Sequence, residues 1–391
     1  MKPAADKKYF SESHIRQHVL KTSPSLTEQA VHCLELVSEL AGTGLTFRFK
    51  GGNSLLLLSP EPRRFSIDVD IATDAGREIL DAAVFSLEEK HQVFFRIQKR
   101  VHVTKPWLPI ASYYLYYKSH FTTEKENFIM LDAVLHKTPY AGKTINVKCG
   151  SIYSSDASAE VATVSGLIAD KLLTLGPSTL GIPLNKNKAG QRLKHANDVS
   201  SLLGQHPVRS EITEALTGCL HQENILQKTS FSHEDIFTDT LSLCRLSLSL
   251  NNNKYITASS EFSQHISELI QGTEEMKSFL FSGEYNQSSL RTDFSRIALC
   301  ISLLHTPPSS ASSTDSSSPS GSADGDKLFS MLFSSDISSA EKNAQLDDIN
   351  LVLNSDDKKL IQNLSEMMET ETVNNWNFLL RLKPGLLNTL N

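Results

Sequence analysis

The segment FSIDVDIA sets two carboxylates, Asp68 and Asp70, at alternate positions among Ile67, Val69 and Ile71. Such alternation belongs to a β-strand, whose side chains repeat with period two, so both acids project from one face. Two carboxylates this close repel each other unless a cation sits between them. Transfer of a nucleotide gives such a pair a purpose. In-line attack on an α-phosphate develops negative charge that divalent metal on carboxylates can hold. Asp132, a lone acid in the apolar run FIMLDAVL, supplies a third metal ligand on a neighbouring strand. Its burial would be costly without a cation or hydrogen bonds.

Upstream, KGGNSLLLL fits the same chemistry. Gly51 and Gly52 remove side chains where backbone N–H groups could approach phosphate oxygens. Asn53 or Ser54 then begins a helix, SLLLL, whose N-terminus favours an anion and whose Ser54 hydroxyl can donate to it. Arg63, Arg64 and Ser66 stand just before the acidic strand, placed for phosphate or its metal shell. Alone, a glycine pair reads as a turn and an Asp-x-Asp as a solvated strand edge. Their joint occurrence in this order is the signal.

KGGNSLLLLSPEPRRFSIDVDI resembles the first motif of the AbiEii/AbiGii toxin family of nucleotidyltransferases, a branch of the DNA polymerase β-like superfamily. A later Lys-Leu and a Lys-Asp/His-x-x-Asp pattern of that family are matched by ADKLLTL, with Lys171, and by RLKHANDVSSL, with Arg192, Lys194, His195 and Asp198. The resemblance implies that Gly51, Gly52 and Ser54 bind the triphosphate of an NTP substrate, with Ser66 beside them, and that Asp68 and Asp70 hold Mg²⁺, or Mn²⁺. It further implies that Lys171 contacts phosphates, that Arg192 and Lys194 add positive charge near the nucleotide, and that Asp198 orients groups or acts as a base. A bacterial toxin–antitoxin or abortive-infection role follows by resemblance, with RNA or tRNA as acceptor and a cognate antitoxin protein as partner. Two rivals stand beside this reading: a nucleotidylating enzyme acting on protein hydroxyls, and a non-catalytic nucleotide-binding or interaction module.

The elements that must position these residues read as α+β. Residues 8 to 42 carry a helical period, and short extended segments follow from about 45 to 155: FRFKGG, FSIDVDIA, HQVFFRIQKRVHV, IASYYLYYKSHF, NFIMLDAVL and TINVKCGSI. EILDAAVFSLEEKHQ interrupts them as a helix. From Val161 onward the pattern is helical, including DTLSLCRLSLSLNNN, whose length favours helix over its alternation. With this pattern, the resemblance implies a polymerase β-like nucleotidyltransferase core, a mixed sheet flanked by helices, with a mainly helical C-terminal region. Its parts are a core over 1–155, a helical domain completing the active site over 156–305, a Ser-rich disordered linker over 306–326 and a C-terminal helical segment over 327–391. In IASYYLYYK, the tyrosines at 113, 114, 116 and 117 read as alternating core and surface aromatics, ahead of a base-stacking role.

Composition sets only loose bounds. At 391 residues, 39% hydrophobic and net charge −6, the chain can build an ordinary core and is no overt nucleic-acid binder, though a local basic groove remains compatible. Five scattered cysteines without a C-x-x-C pair fit reduced thiols. The start MKPAADKKYFSESH has no apolar signal region and no run is long enough to span a membrane, so the expected location is cytoplasmic.

Overall fold

A computed structural model of the chain describes residues 4–19, 23–59, 64–90, 93–101, 108–248, 260–280 and 283–305, together with residues 326, 329, 330 and 333. Arg63, most of the Ser-rich stretch and the apolar repeats INLVL, LIQNL and WNFLLRL lie outside the described residues. The chain divides into two compact units. The first runs to Thr163 and takes back Ser278–Glu284; the second holds Val164–Lys277 and the described residues from Tyr285 on.

The first unit is built on helices α1 (Glu12–Gln17), α2 (Pro24–Gly42), α3 (Leu55–Leu58) and α4 (Arg77–Lys90), with strands β1 (Arg48–Lys50), β2 (Asp68–Ala72), β3 (Phe94–Arg100), β4 (Ile110–Lys118), β5 (Glu126–Val134), β6 (Gly142–Cys149) and β7 (Tyr153–Ala162). These strands form one mixed sheet in the order β3-β4-β5-β2-β1-β7-β6. The central pairs β2–β5 and β1–β7 are parallel, and the remaining pairs are antiparallel. The architecture is therefore the mixed sheet flanked by helices that the sequence predicted, followed by a helical region.

Two local expectations change. YSSDASAEVA, which falls where the extended segments were expected to end near 155 and the helical pattern to begin at Val161, is strand β7 throughout. Its small and polar residues carry weak strand preference, and pairing to β1 on one side and β6 on the other decides its conformation. The helix expected after the glycine pair is a single turn, Leu55–Leu58. So short a helix brings little of the dipole that a long one directs at an anion.

Helix α2 explains much of the first unit's stability. Ser23 caps it by accepting from the Leu26 N–H, Pro24 opens it, and Ala30, Val31, Cys33, Leu34, Leu36, Val37 and Leu40 are buried. Val69, Ile71, Leu131, Tyr113 and Leu115 from the sheet join the same core, as do Leu80, Val84 and Leu87 of α4. His32 of α2 stacks on Tyr117 with ring centroids 3.6 Å apart. Burial pushes His32 down to about 4, so it packs as a neutral ring.

Acids on α2 are buried as well, and Glu28 and Glu35 each accept hydrogen bonds from other elements. Glu28 accepts from the Ser119 hydroxyl and the His120 N–H. Glu35 accepts from the N–H groups of Ala4 and Ala5 and from the Tyr153 hydroxyl, which fastens the N-terminal segment. Burial, reinforced by the charge of Glu35 one turn away, raises the Glu39 carboxyl to about 9.

The second unit comprises α5 (Val164–Leu172), α6 (Ala189–Leu203), α7 (Arg209–Gln227), α8 (His233–Leu248), α9 (Ser260–Lys277) and α10 (Gln287–His305). The segment with alternating apolar residues, DTLSLCRLSL, lies in α8 and is helical as its length suggested. Helices α6 and α9 approach closely because Gly190 and Gly272 carry no side chain. A Cβ on Gly272 would lie 2.7 Å from that of Ala189, and one on Gly190 would meet Glu275 at 2.4 Å. Asp326, the last residue of the Ser-rich stretch, accepts from both the N–H and the hydroxyl of Ser210 in the first turn of α7, and Phe329 and Phe333 are buried. All five cysteines are buried thiols. Among the described residues no helix is long and apolar enough to cross a membrane.

Candidate active site

Strand β2 alternates as its sequence dictates: Val69 and Ile71 are fully buried, while Asp68 and Asp70 are half-buried on the opposite face. Register extends that face across the sheet. Asp70 pairs with Lys50 of β1 on one side and with Asp132 of β5 on the other, and Asp68 pairs with Met130. Asp68, Asp70 and Asp132 therefore share one face. Asp132 accepts a short hydrogen bond from the Ser112 hydroxyl of β4, its register partner. Among the described residues no group of three or more His, Cys, Asp or Glu side chains is gathered closely enough to hold a metal ion.

The glycine pair packs directly on these acids. Gly51 has φ +72°, a left-handed conformation open to glycine at no steric cost. A Cβ there would fall 1.9 Å from Asp70 Oδ2 and 2.6 Å from its Cγ. On Gly52 it would lie 3.0 Å from an Arg64 guanidinium nitrogen and 3.1 Å from the Ser66 hydroxyl. The turn is thus bounded by the Asp70 carboxylate on one side and by Arg64 and Ser66 on the other. Ser54 is buried and donates its hydroxyl to the Gly51 carbonyl at 2.8 Å, closing the turn on itself.

The residue that joins these parts, Asn53, was expected from the sequence only as a candidate start of the helix after the glycines. Asn53 is fully buried; its side-chain amide donates to the Asp68 carbonyl at 2.7 Å, and its oxygen accepts from the Ser66 N–H at 3.3 Å. One side chain thereby fixes the glycine turn to the start of the segment that carries the acids. Its position between the glycines and the apolar run was the available clue. Cys33 of α2 lies close beneath: burial, then the charge of Asp68 and also that of Asp70, push its thiol well up, against a hydrogen bond to Asn53. No sequence signal pointed to Cys33, and it stays a neutral packing group.

The remaining candidates belong to the helical unit. Lys171 of α5 and Asp198 of α6 form an ion pair at 2.7 Å with side chains 5% and 2% exposed. Arg192 is fully buried. It donates to the carbonyls of Ile182 and Pro183 and lies 3.7 Å from Glu268. Burial lowers its affinity for the proton, and Glu268 opposes that shift. Its guanidinium is committed to holding the loop that leads into α6. Lys194 and His195 are half-buried on the same helix.

Comparison with known proteins bears on this arrangement. Among the curated proteins there is no significant match. Solved structures with some likeness include an antigenic nucleotidyltransferase-like protein from Paracoccidioides brasiliensis, 13% identical, with a TM-score of 0.33 over 51% of this chain and 91% of that one. Another is MenT4, a nucleotidyltransferase toxin from Mycobacterium tuberculosis H37Rv, 12% identical, with a TM-score of 0.41 over 76% of this chain and 99% of that one. These likenesses are distant and carry no argument. The profile of the AbiEii family, described as the nucleotidyl transferase AbiEii toxin of a type IV toxin–antitoxin system, matches residues 36–287. That span takes in the glycine turn, the acidic strand and both helices bearing the Lys171–Asp198 pair, and the chain belongs to the AbiEii nucleotidyl transferase toxin family.

Proposed function

We propose that the chain transfers a nucleoside monophosphate from an NTP to a hydroxyl of RNA, tRNA included, with release of pyrophosphate, and acts as a toxin restrained by a cognate antitoxin. The observation that carries this is the fit of Gly51 against Asp70, which sets a backbone turn able to meet phosphate beside carboxylates able to hold metal. The acceptor oxygen bonds to the α-phosphorus, the α–β anhydride bond breaks and pyrophosphate departs.

The donor set suits Mg²⁺ or Mn²⁺. Asp68 and Asp70 offer only oxygen, and Mg²⁺ commonly takes one or two carboxylates with substrate phosphates and water completing its shell. Bound there, the ion would neutralise charge developing on the α-phosphate. Asp132, held by Ser112 in register with Asp70, lends the same face a third negative charge. Gly51, Gly52 and Ser66 bind the triphosphate through the turn that Ser54 closes.

Lys194, half-buried on α6, supplies positive charge for the phosphates, whereas the buried Lys171 ammonium is held by Asp198. Of the two roles for Asp198, orientation is favoured over base catalysis, because its carboxylate is buried against the Lys171 ammonium. Arg192 serves by holding the 182–183 loop.

The test is incubation with each labelled NTP, Mg²⁺ and total RNA. Label should enter RNA with at least one nucleotide and vanish in Asp68→Asn and Asp70→Asn. No label with any of the four nucleotides would refute the transfer, and label confined to protein would refute the RNA acceptor.

A further inference from the structure

The face of the sheet that carries the acids continues outward as an aromatic and cationic surface with no part in the chemistry above. Strand register orders it in three rows. Gln98 of β3, Tyr114 of β4, Met130 of β5 and Asp68 of β2 form one; Arg100, Ser112, Asp132 and Asp70 form the next; Arg96, Tyr116 and Phe128 form the third. The other face is sealed, with Tyr113, Leu115 and Tyr117 fully buried in the core. Phe128 by contrast is 40% exposed, Tyr114 and Tyr116 are half-buried, and Arg96, Gln98 and Arg100 are exposed.

The rings are mutually braced. Tyr114 and Phe128 meet edge to face with centroids 5.0 Å apart, and Tyr116 is tilted against Phe128 at 5.7 Å. The Arg96 guanidinium lies 3.8 Å over the Tyr116 ring, itself a flat surface for stacking. Arg100 reaches across β4 to the Met130 sulfur of β5, so a cation lies over the row next to the carboxylates.

We propose that this open face of β3, β4 and β5 seats a single-stranded segment of the acceptor RNA, which rests on the nucleotidyl transfer proposed above for the destination of its hydroxyl. Bases stack on Tyr114, Tyr116 and Phe128, and phosphates lie along Arg96 and Arg100. Two observations favour RNA. Partly exposed rings interleaved with arginines are the surface that unpaired bases and their phosphates require. The surface is also continuous with the acids: at about 4.8 Å per strand, Tyr114 is roughly 10 Å from Asp68, within reach of a nucleotide or two. Glu126 lies 3.1 Å from Arg96, and an exposed pair of this kind yields readily to phosphate.

The experiment is titration of a fluorescein-labelled single-stranded RNA of about 12 nucleotides into the full chain, without NTP, followed by anisotropy. Tyr114→Ala and Phe128→Ala should each weaken binding roughly 5- to 150-fold, the effect of removing one stacking ring. Tyr114→Phe should bind as the parent does. Arg96→Gln and Arg100→Gln, exposed changes that spare the core, should each reduce the slope of log affinity against log salt by about 0.7. Asp68→Asn/Asp70→Asn should retain binding while transferring nothing. Failure of the parent to bind RNA, or ring variants that bind RNA as tightly as the parent, would overturn the proposal. So would protein labelling that continues unchanged in Tyr114→Ala. Platform-dependent RNA binding with no transfer by any chain would refute the transfer and leave this surface standing.

Discussion

Gly51→Ala tests the core of the site because its effect follows from geometry. The new methyl would sit 1.9 Å from Asp70 Oδ2, 2.6 Å from Cγ and 2.7 Å from Cβ, so the whole carboxylate side chain must move rather than its tip. Restoring an ordinary contact requires a shift of about 1 Å or more, and misplacement on that scale costs roughly 100-fold in rate. The left-handed φ of +72° adds about 1–2 kcal/mol for a residue with a Cβ, or roughly 2–8 °C in Tm. Gly52→Ala is the internal comparison. Its φ is not in the left-handed region, and its closest contacts, at 3.0–3.1 Å, are the end of the Arg64 side chain and Ser66. Steady-state nucleotide transfer with thermal unfolding of both variants should rank Gly51→Ala well below Gly52→Ala in kcat/KM. Equal activity of the two, or full activity of Gly51→Ala, would refute the placement of Asp70 against the turn.

Asn53→Ala should remove a buried donor and acceptor together, leaving the Asp68 carbonyl and the Ser66 N–H without their partner at about 1–3 kcal/mol each, measured by denaturant unfolding. Lys171→Met or Asp198→Asn alone should cost about 3–5 kcal/mol by stranding one buried charge. The double variant should recover a large part of that loss, and simple additivity would show the 2.7 Å pair to be energetically idle. A pH series tests Glu39. Its folded carboxyl, raised from 4.5 to about 9, keeps a proton that the unfolded chain releases, so stability falls as pH rises between those values. Glu39→Gln, which mimics the protonated form, should flatten that fall and raise Tm relative to the parent at about pH 8. An unchanged pH slope would count against it.

Legibility in the sequence followed the range of the determining forces. Asp68 and Asp70 were readable because strand period alone puts them opposite Val69 and Ile71, and register with Asp132 needed only a neighbouring strand. β7 was not readable from its own residues, because YSSDASAEVA has weak strand preference and becomes a strand through antiparallel pairing with β6 and parallel pairing with β1 at Glu160 and Val161. Ser54 and Arg192 illustrate a second limit. Polar side chains beside a glycine turn or in a family motif invite a ligand role, yet the Ser54 hydroxyl closes the Gly51 carbonyl and the Arg192 guanidinium holds Ile182 and Pro183. Which partner satisfies a buried donor is decided by tertiary geometry, and a single sequence does not carry it.

The run IASYYLYYK shows how one alternation can serve both core and function. Tyr113 and Tyr117 enter the core, where the Tyr113 hydroxyl meets Asp81 and the Tyr117 ring stacks on His32. Tyr114 and Tyr116 face the other way, into the rows that contain Arg96, Arg100 and the acids. A slip of one residue in the β4–β5 register would exchange the two sets, exposing the core tyrosines and driving Ser112 away from Asp132. The buried half of the pattern therefore guards the register, and the register in turn places the open half beside Asp68 and Asp70. Changes on the open face should accordingly alter RNA binding with little loss of stability, whereas Tyr117→Ala, which empties a stacked core position, should cost about 3–5 kcal/mol. Chemical unfolding of Tyr117→Ala beside Tyr114→Ala separates the two effects. Equal destabilisation by both would mean that the outer rings also belong to the core.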